Sequence, residues 1–117
     1  MGREPKTVVA GMARLKREDY LDSDGNIVMP EGVTLTSFLE ANVADQGDTP
    51  AYRVLDFDHG NPLVVDLTWP QFGARVKAVG ARLQQVAKRG DRVAVLAPQG
   101  VDYVVCFFAA IHAGMIA

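Results

Sequence analysis

Apolar positions recur along this chain with two different periods, and the changes of period divide it into elements. In residues 34–46 the apolar side chains recur at helical spacing, which predicts an amphipathic helix. Thr34 is placed to cap the start of this helix and Gly47 to end it. The predicted apolar face consists of Leu35, Phe38, Leu39 and Val43.

Two later stretches change to the period of a strand. Residues 51–57 and 63–67 alternate loosely and are rich in β-branched and aromatic side chains. The five residues between them carry turn-forming side chains, so the pattern predicts an antiparallel hairpin. His59 lies at the tip of this hairpin. We interpret it as an exposed turn residue, because no second histidine, cysteine or close carboxylate pair has the spacing of metal ligands.

A second helix is predicted directly after the hairpin. Thr68 and Gln71 have the spacing of a capping box, in which each side chain satisfies a free backbone donor. Pro70 falls in the first turn, where its missing N–H costs nothing. Gly90-Asp91 is expected to end the helix. The apolar stripe that would pack on a sheet consists of Phe72, Val76, Val79, Leu83 and Val86.

The last part of the sequence indicates half of a parallel βαβ unit. Residues 93–97 form a continuous apolar run, typical of a strand covered on both faces. Residues 101–113 predict a helix that is apolar almost all round, and such a helix is buried on most sides. We expect the return strand and most partners of this helix to lie outside the sequence.

These elements predict the order α-β-β-α-β-α, which belongs to the α/β class. The fold is expected to be the amino-terminal part of a larger domain and incomplete on its own. Residues 1–33 are expected to be a partly ordered lead-in, with a short strand at residues 27–29. Its cluster of lysine and arginine is either a solvated face or a short basic anchor for an acidic partner.

Composition narrows the function classes. The 117 residues are 49% hydrophobic and 22% charged with a formal net charge of −2. This favours one small globular domain and gives no electrostatic case for nucleic acid or membrane binding. No apolar run is long enough for a transmembrane helix and no secretory signal is evident, so we expect a cytoplasmic protein. Cys106 lies in the apolar helix, which is typical of a buried structural thiol.

One place resembles a generic ligand site. The turn Pro98-Gln-Gly100 joins the carboxyl end of the predicted strand to the amino end of a helix, where backbone N–H groups can hold an anion. Neither glycine-rich phosphate motif is present, and Asp102 already supplies a negative charge there, so a plain βα turn is favoured. We interpret His112 as a core or interface residue and Trp69 as a packing anchor.

Several segments together carry a family resemblance. They include Asp48-Thr-Pro-Ala-Tyr-Arg-Val-Leu-Asp-Phe57, Leu67-Thr-Trp-Pro-Gln-Phe72, Val79-Gly-Ala-Arg-Leu-Gln84, Gly90-Asp-Arg-Val-Ala-Val-Leu-Ala-Pro-Gln-Gly100 and residues 103–117. Residues 34–117 resemble the amino-terminal portion of the adenylate-forming superfamily, and within it most closely the fatty-acyl-AMP ligases. Leu67-Thr-Trp-Pro-Gln-Phe72 corresponds to the first core motif of that superfamily, with Trp69, Gln71 and Phe72 in place of the usual Tyr, Glu and Leu.

The resemblance implies a parent ligase that activates a fatty acid with ATP and Mg²⁺. It would form an acyl-adenylate and pyrophosphate, then pass the acyl group to the thiol of an acyl carrier protein or polyketide synthase in lipid biosynthesis. In the family, the phosphate loop, the adenine and ribose contacts and the catalytic lysine all lie downstream of the part that this chain resembles. No catalytic, cofactor-binding or metal-binding residue is therefore assigned here, and we expect the chain alone to be inactive.

Two other interpretations remain open at this point. The chain could be a self-sufficient, non-catalytic binding module that associates with a partner lipid enzyme. Alternatively, Pro98-Gln-Gly100 could form part of a nucleotide-binding βα unit. Under the ligase interpretation, residues 34–117 are the amino-terminal segment of an AMP-binding domain.

Overall fold

The computed structural model describes residues 16–58 and 60–117, so the predictions made for residues 1–15 and for His59 lie outside the described part. Mixed helix and strand content confirms the predicted α/β class. The elements are a 3₁₀ turn at Arg17–Tyr20, α1 at Leu35–Asp45, β1 at Pro50–Asp56, β2 at Leu63–Thr68, α2 at Trp69–Gln84 and α3 at Val101–His112.

The segment before α1 folds around one tight turn. Leu21 and Ile27 form an isolated antiparallel bridge. Within the turn, the Asp22 carboxylate accepts hydrogen bonds from the backbone N–H groups of Asp24 and Asn26, at 2.9 and 2.8 Å. The two arms pair at one position only, so the short strand predicted to start at Ile27 is reduced to a bridge.

Helix α1 begins where the sequence predicts. The Ser37 N–H donates to the Thr34 hydroxyl at 3.1 Å, and the Thr34 N–H donates to the Ser37 hydroxyl at 2.8 Å. Gly47 follows the helix with a φ of +55°, in the left-handed region that glycine adopts without strain. Only part of the predicted apolar face is covered: Leu39 is buried, whereas Leu35 is 52% exposed.

The predicted hairpin is confirmed. Strands β1 and β2 pair antiparallel, with Val54 opposite Val65 and Leu55 opposite Val64. On the outer face the Arg53 guanidinium donates two hydrogen bonds to the Asp66 carboxylate, at 2.7 and 2.8 Å.

The capping box of α2 is also confirmed. The Gln71 N–H donates to the Thr68 hydroxyl at 3.4 Å, and the Thr68 N–H donates to the Gln71 side-chain oxygen at 3.1 Å. The predicted end of this helix is wrong, because α2 stops at Gln84 rather than at Gly90. The Lys88 N–H, which a continued helix would pair with the Gln84 carbonyl, donates instead to the Asp91 carboxylate at 2.8 Å.

The early end of α2 shortens its apolar stripe. Phe72 and Val76 are buried, and Val79 and Leu83 pack against the core. Val86 lies beyond the helix and is 74% exposed, so its assignment to the stripe is wrong.

The core forms where α2 crosses the hairpin and α3. The Phe72 ring meets the rings of Tyr52, Trp69 and Phe108 edge to face, with centroids 5.1, 6.3 and 5.4 Å away. Further along α2, Gly80 lies so close to α3 that an added Cβ would sit 3.4 Å from the Ala109 carbonyl oxygen. This crossing fixes the position of α3 and of the turn that precedes it.

The strand predicted at residues 93–97 is wrong for this structure, because no ladder forms there among the described residues. A single parallel bridge joins Arg92 to Ile116. In it the Val93 N–H donates to the Ile116 carbonyl at 2.8 Å, and the Ile116 N–H donates to the Asp91 carbonyl at 2.9 Å. One bridge supplies only the start of the expected return strand, and an isolated strand is not stable without a neighbour.

Candidate functional site

A groove of about 540 Å³ lies between the hairpin and the start of α3, at the one place where the sequence indicated a generic site. The turn Pro98-Gln-Gly100 and the first turn of α3 form one wall. The outer half of the hairpin forms the other wall and contributes apolar surface from Val54, Phe57 and Val65.

The start of α3 in this groove has no side-chain cap. Gly100 is the N-cap residue, in extended backbone that any residue can adopt, and it has no side chain to accept a first-turn N–H. The first N–H groups of a helix have no partner within the helix, and they give its end a partial positive charge. This end alone would favour an anion.

The charged side chains around the groove oppose that preference. Asp56, Asp58 and Asp102 line it, and no lysine or arginine is among the described residues that do so. A triphosphate would therefore meet three carboxylates and no cationic side chain. These residues do not fit ATP, and the geometry favours a plain turn before α3 over a phosphate site.

The carboxylates do not assemble a metal site either. Across residues 16–58 and 60–117, no three histidine, cysteine, aspartate or glutamate side chains come together as a cation would require. The backbone N–H of Asp58 donates to the Asp56 carboxylate at 2.9 Å, which stabilises the turn after β1. The described residues of the groove therefore fit neither Mg²⁺ nor ATP.

The other sequence candidates occupy packing positions. Trp69 is half-buried with its ring edge-on to Phe72, as expected of a packing anchor. His112 is half-buried where α3 crosses Gly80 of α2. Cys106 is a free, half-buried thiol on α3. The structure does not bring these side chains together into a shared site.

The shifted pKa values have local structural causes. Burial raises the pKa of the Tyr52 phenol, which packs against Phe72. The hydrogen bonds from Arg53 lower the pKa of Asp66. Hydrogen bonds from Asn26, the backbone N–H first, lower the pKa of Asp22. Packing, an ion pair and a turn account for these shifts without a catalytic role.

The sequence does not reveal that the hairpin carboxylates lie opposite the start of α3. In the sequence, Asp56 and Asp58 have no motif that distinguishes them from other residues near the end of a strand. Only the folded hairpin places them opposite Asp102. No local motif signals such a juxtaposition, because it depends on how α2 carries the hairpin against α3.

Comparison with known families decides what this arrangement belongs to. The family model described as AMP-binding enzyme matches residues 39–117. The chain belongs to the AMP-binding enzyme family. The match runs from within α1 through α3 and the bridge that follows it, so the hairpin, the α2–α3 crossing and the groove all lie within the matched segment.

Several similar proteins are named as long-chain-fatty-acid–AMP ligases. The long-chain-fatty-acid–AMP ligase FadD32 of Mycolicibacterium smegmatis is 52% identical over 95 residues, which is 80% of this chain and 15% of the relative. FadD32 of Mycobacterium marinum is 46% identical over 95 residues, which is again 80% of this chain and 15% of the relative. FadD26 of Mycobacterium tuberculosis H37Rv is 39% identical over 85 residues, 72% of this chain and 15% of the relative.

The matches cover a small part of each relative. The chain spans about 15% of the length of the relatives FadD32 and FadD26. Within the described residues, no helix combines the length and apolar character that crossing a bilayer requires. The resemblance to fatty-acyl-AMP ligases is confirmed, and the complete activity is a matter for proposal.

Proposed function

We propose that this chain is the amino-terminal part of the acyl-adenylating domain of a long-chain fatty-acid–AMP ligase. The observation that carries the proposal is the 52% identity over 95 residues with FadD32 of Mycolicibacterium smegmatis. Residues 34–117 would be the domain segment, and residues 1–33 a lead-in to it. We place the protein in the cytoplasm.

The proposed ligase activates the carboxylate of a fatty acid with ATP and Mg²⁺. The carboxylate oxygen displaces pyrophosphate from the α-phosphate and leaves an acyl-adenylate. The acyl group then passes to the thiol of an acyl carrier protein or polyketide synthase, rather than to free coenzyme A, for lipid assembly. FadD32 and FadD26 are named as long-chain-fatty-acid–AMP ligases, which supports the proposed formation of an acyl-adenylate.

Within the ligase, this segment would serve as scaffold. Its groove lacks a cationic side chain among the described residues, which argues against a triphosphate site in this part of the domain. The Thr68 cap and the packing of Phe72 set α2 between the hairpin and α3. A single parallel bridge joins Arg92 to Ile116 beyond α3. We therefore expect the chain alone to form no acyl-adenylate.

A chimera tests the proposal without requiring the chain to act alone. The matched region of Mycolicibacterium smegmatis FadD32 is replaced by the corresponding residues of this chain, and acyl-adenylate formation is followed with radiolabelled fatty acid and ATP. We expect a folded chimera to make acyl-adenylate. The same chimera with Phe72→Asp, which buries a carboxylate in the aromatic core, should not.

Two results would count against the proposal. A chimera with native-like circular dichroism and thermal unfolding that forms no acyl-adenylate would show that this segment does not serve such a ligase. For the second step, the acyl-adenylate is offered to a phosphopantetheine-loaded carrier protein and, in parallel, to coenzyme A. Acylation of coenzyme A in preference to the carrier would contradict the proposed transfer.

A further inference from the structure

Charge is unevenly distributed along this chain, although its formal net charge is only −2. Residues 69–92 contain six lysines and arginines against one carboxylate, that of Asp91. This stretch therefore carries a net charge of +5, and the rest of the chain carries −7. Because salt screens exposed charges beyond about 8 Å, a partner meets the local charge rather than the average. The net charge of the whole chain thus conceals a surface that attracts anions.

Four of these cations lie in the last turn of α2 or just beyond it, and all four are exposed. They are Arg82, Lys88, Arg89 and Arg92. We call residues 82–92 the basic turn. Across residues 16–58 and 60–117, no carboxylate forms an ion pair with any of the four. The Asp91 carboxylate accepts the backbone N–H of Lys88 instead, at 2.8 Å. The positive charge of the basic turn is therefore not neutralised by the described part of the chain.

Backbone hydrogen bonds tie the basic turn to both helices. The Ala87 N–H donates to the Leu83 carbonyl at 2.9 Å, which adds one helical turn after α2. The Gly90 N–H donates to the Gly114 carbonyl beyond α3, also at 2.9 Å. These bonds join the two ends of the basic turn to the packed helix pair, so its cations extend from a fixed backbone.

Val86 places an apolar side chain among these cations. It lies four residues after Arg82 and is 74% exposed, because α2 ends before it. An exposed aliphatic side chain between cations suits a membrane surface, where cations meet lipid phosphates and apolar side chains enter the interface. A phosphate backbone alone would leave Val86 in water. The surface is also the convex end of a helix, which a deformable bilayer can follow, whereas a protein partner needs a complementary shape.

We propose that the basic turn is a peripheral membrane site for the anionic phospholipids of a cytoplasmic leaflet. Its four cations lie over the lipid phosphates, and Val86 enters the interfacial region. The inference goes beyond the proposed ligase function and does not rest on it, because it uses charge and exposure alone. The two agree, since a long-chain fatty acid partitions into bilayers and an enzyme at the bilayer surface would meet it there.

Co-sedimentation of the 117-residue chain with vesicles tests this site. The probes are vesicles of phosphatidylcholine alone and vesicles in which about 30% of the lipid is phosphatidylglycerol. We expect the chain to sediment with the anionic vesicles and not with the neutral ones, and the bound fraction to fall as salt is added. ATP and fatty acid are left out, so the result does not depend on acyl-adenylate formation.

A matched pair of double variants assigns the binding to the basic turn. Lys88→Gln with Arg89→Gln should weaken partitioning into anionic vesicles by about 25-fold, because each cation near the surface contributes about fivefold. Lys16→Gln with Arg17→Gln removes the same charge from exposed residues of the lead-in and should leave partitioning nearly unchanged. Val86→Ser keeps the charge and should weaken partitioning by about fivefold, because it withdraws apolar surface from the interface. Circular dichroism of all these variants should match the parent, because the replaced side chains are exposed.

Several outcomes would overturn the inference. They are binding to neither kind of vesicle, equal binding to both, and no loss with the basic-turn pair or with Val86→Ser. An equal loss with the lead-in pair would assign the binding to Lys16 and Arg17 instead. Duplex DNA or polyglutamate that bound as tightly, with the same loss in the basic-turn pair, would show a site for any polyanion rather than for a bilayer.

Discussion

The α2–α3 pair and residues 93–97 are both apolar, yet their surroundings differ completely. Phe72 on α2 is 1% exposed and contacts three aromatic rings, whereas Leu96 is 96% exposed. A helix satisfies its backbone hydrogen bonds within itself, so α2 and α3 need neighbours only to cover their apolar faces. A strand cannot do so, and residues 93–97 form no ladder with the other described residues although their composition favours one. The helices α2 and α3 form their backbone hydrogen bonds internally, whereas residues 93–97 need a neighbouring strand to form theirs.

The largest effect is expected from replacing Phe72, which is buried, with alanine, and the exposed Leu96 provides the comparison. Phe72→Ala should lower the free energy of unfolding by about 3–5 kcal/mol, because it removes a buried ring and leaves a cavity. Leu96→Ala, at the exposed position, should change it by less than about 0.5 kcal/mol. Urea denaturation followed by circular dichroism measures both, and equal destabilisation would remove the contrast between the regions.

Two glycines on α2 test how tightly the helix is packed. An added Cβ at Gly73 would lie 2.7 Å from the Val43 Cγ2 atom, so Gly73→Ala should destabilise the chain by about 1–3 kcal/mol. At Gly80 the nearest atom would be 3.4 Å away, an ordinary contact. Gly80→Ala should therefore gain up to about 1 kcal/mol from its helix preference. The same unfolding measurement compares them, and a shared sign would contradict the difference in packing.

A smaller effect is expected at the start of α2. Thr68→Ala removes the hydroxyl that accepts the Gln71 N–H and should cost about 1 kcal/mol. Thr68→Ser keeps the acceptor and serves as the control. If the serine and alanine variants unfold at the same urea concentration, the capping box has no measurable role in the stability of α2.

The smallest effect concerns the ion pair on the exposed face of the hairpin. Arg53 lowers the pKa of Asp66, so the pair stabilises the fold above the ordinary aspartate pKa. This stability is lost as the pH falls through the lowered pKa. Asp66→Asn should remove that part of the acid-side loss and leave the part due to Asp22, whose pKa is also lowered.

A pH series of urea denaturations, with and without added salt, measures this effect. The side chains of Arg53 and Asp66 are 60% and 38% exposed, so salt should weaken the pair. An unchanged acid-side slope in Asp66→Asn would show that the pair does not contribute.

Features set by neighbouring residues were predictable from the sequence. The caps at Thr34 and Thr68 and the turn of the hairpin depend on side chains a few positions apart, and the structure has both caps and the antiparallel hairpin. The end of α2 was predicted too late, because the sequence does not show that the helix stops at Gln84 and that the Lys88 N–H pairs with the Asp91 carboxylate beyond it. Val86 therefore lies past the helix and outside its apolar stripe.

Features set by distant partners were not predictable. The strand predicted at residues 93–97 needs a neighbour along its length, and among residues 16–58 and 60–117 there is only the bridge from Ile116 to the adjacent Arg92. The groove forms where the hairpin meets the start of α3, so the position of Asp56 and Asp58 in it could not be predicted from the sequence. The sequence assigned no catalytic or ligand-binding residue, and that remains a prediction.

Amide hydrogen exchange of the 117-residue chain tests the central contrast most directly. We predict slow exchange along α2 and α3 around Val76 and Ala109, which are fully buried, and fast exchange at Ala94 and Leu96. Protection at Ala94 and Leu96 as strong as that of α2 would mean that the chain pairs this strand unaided, and would contradict the account.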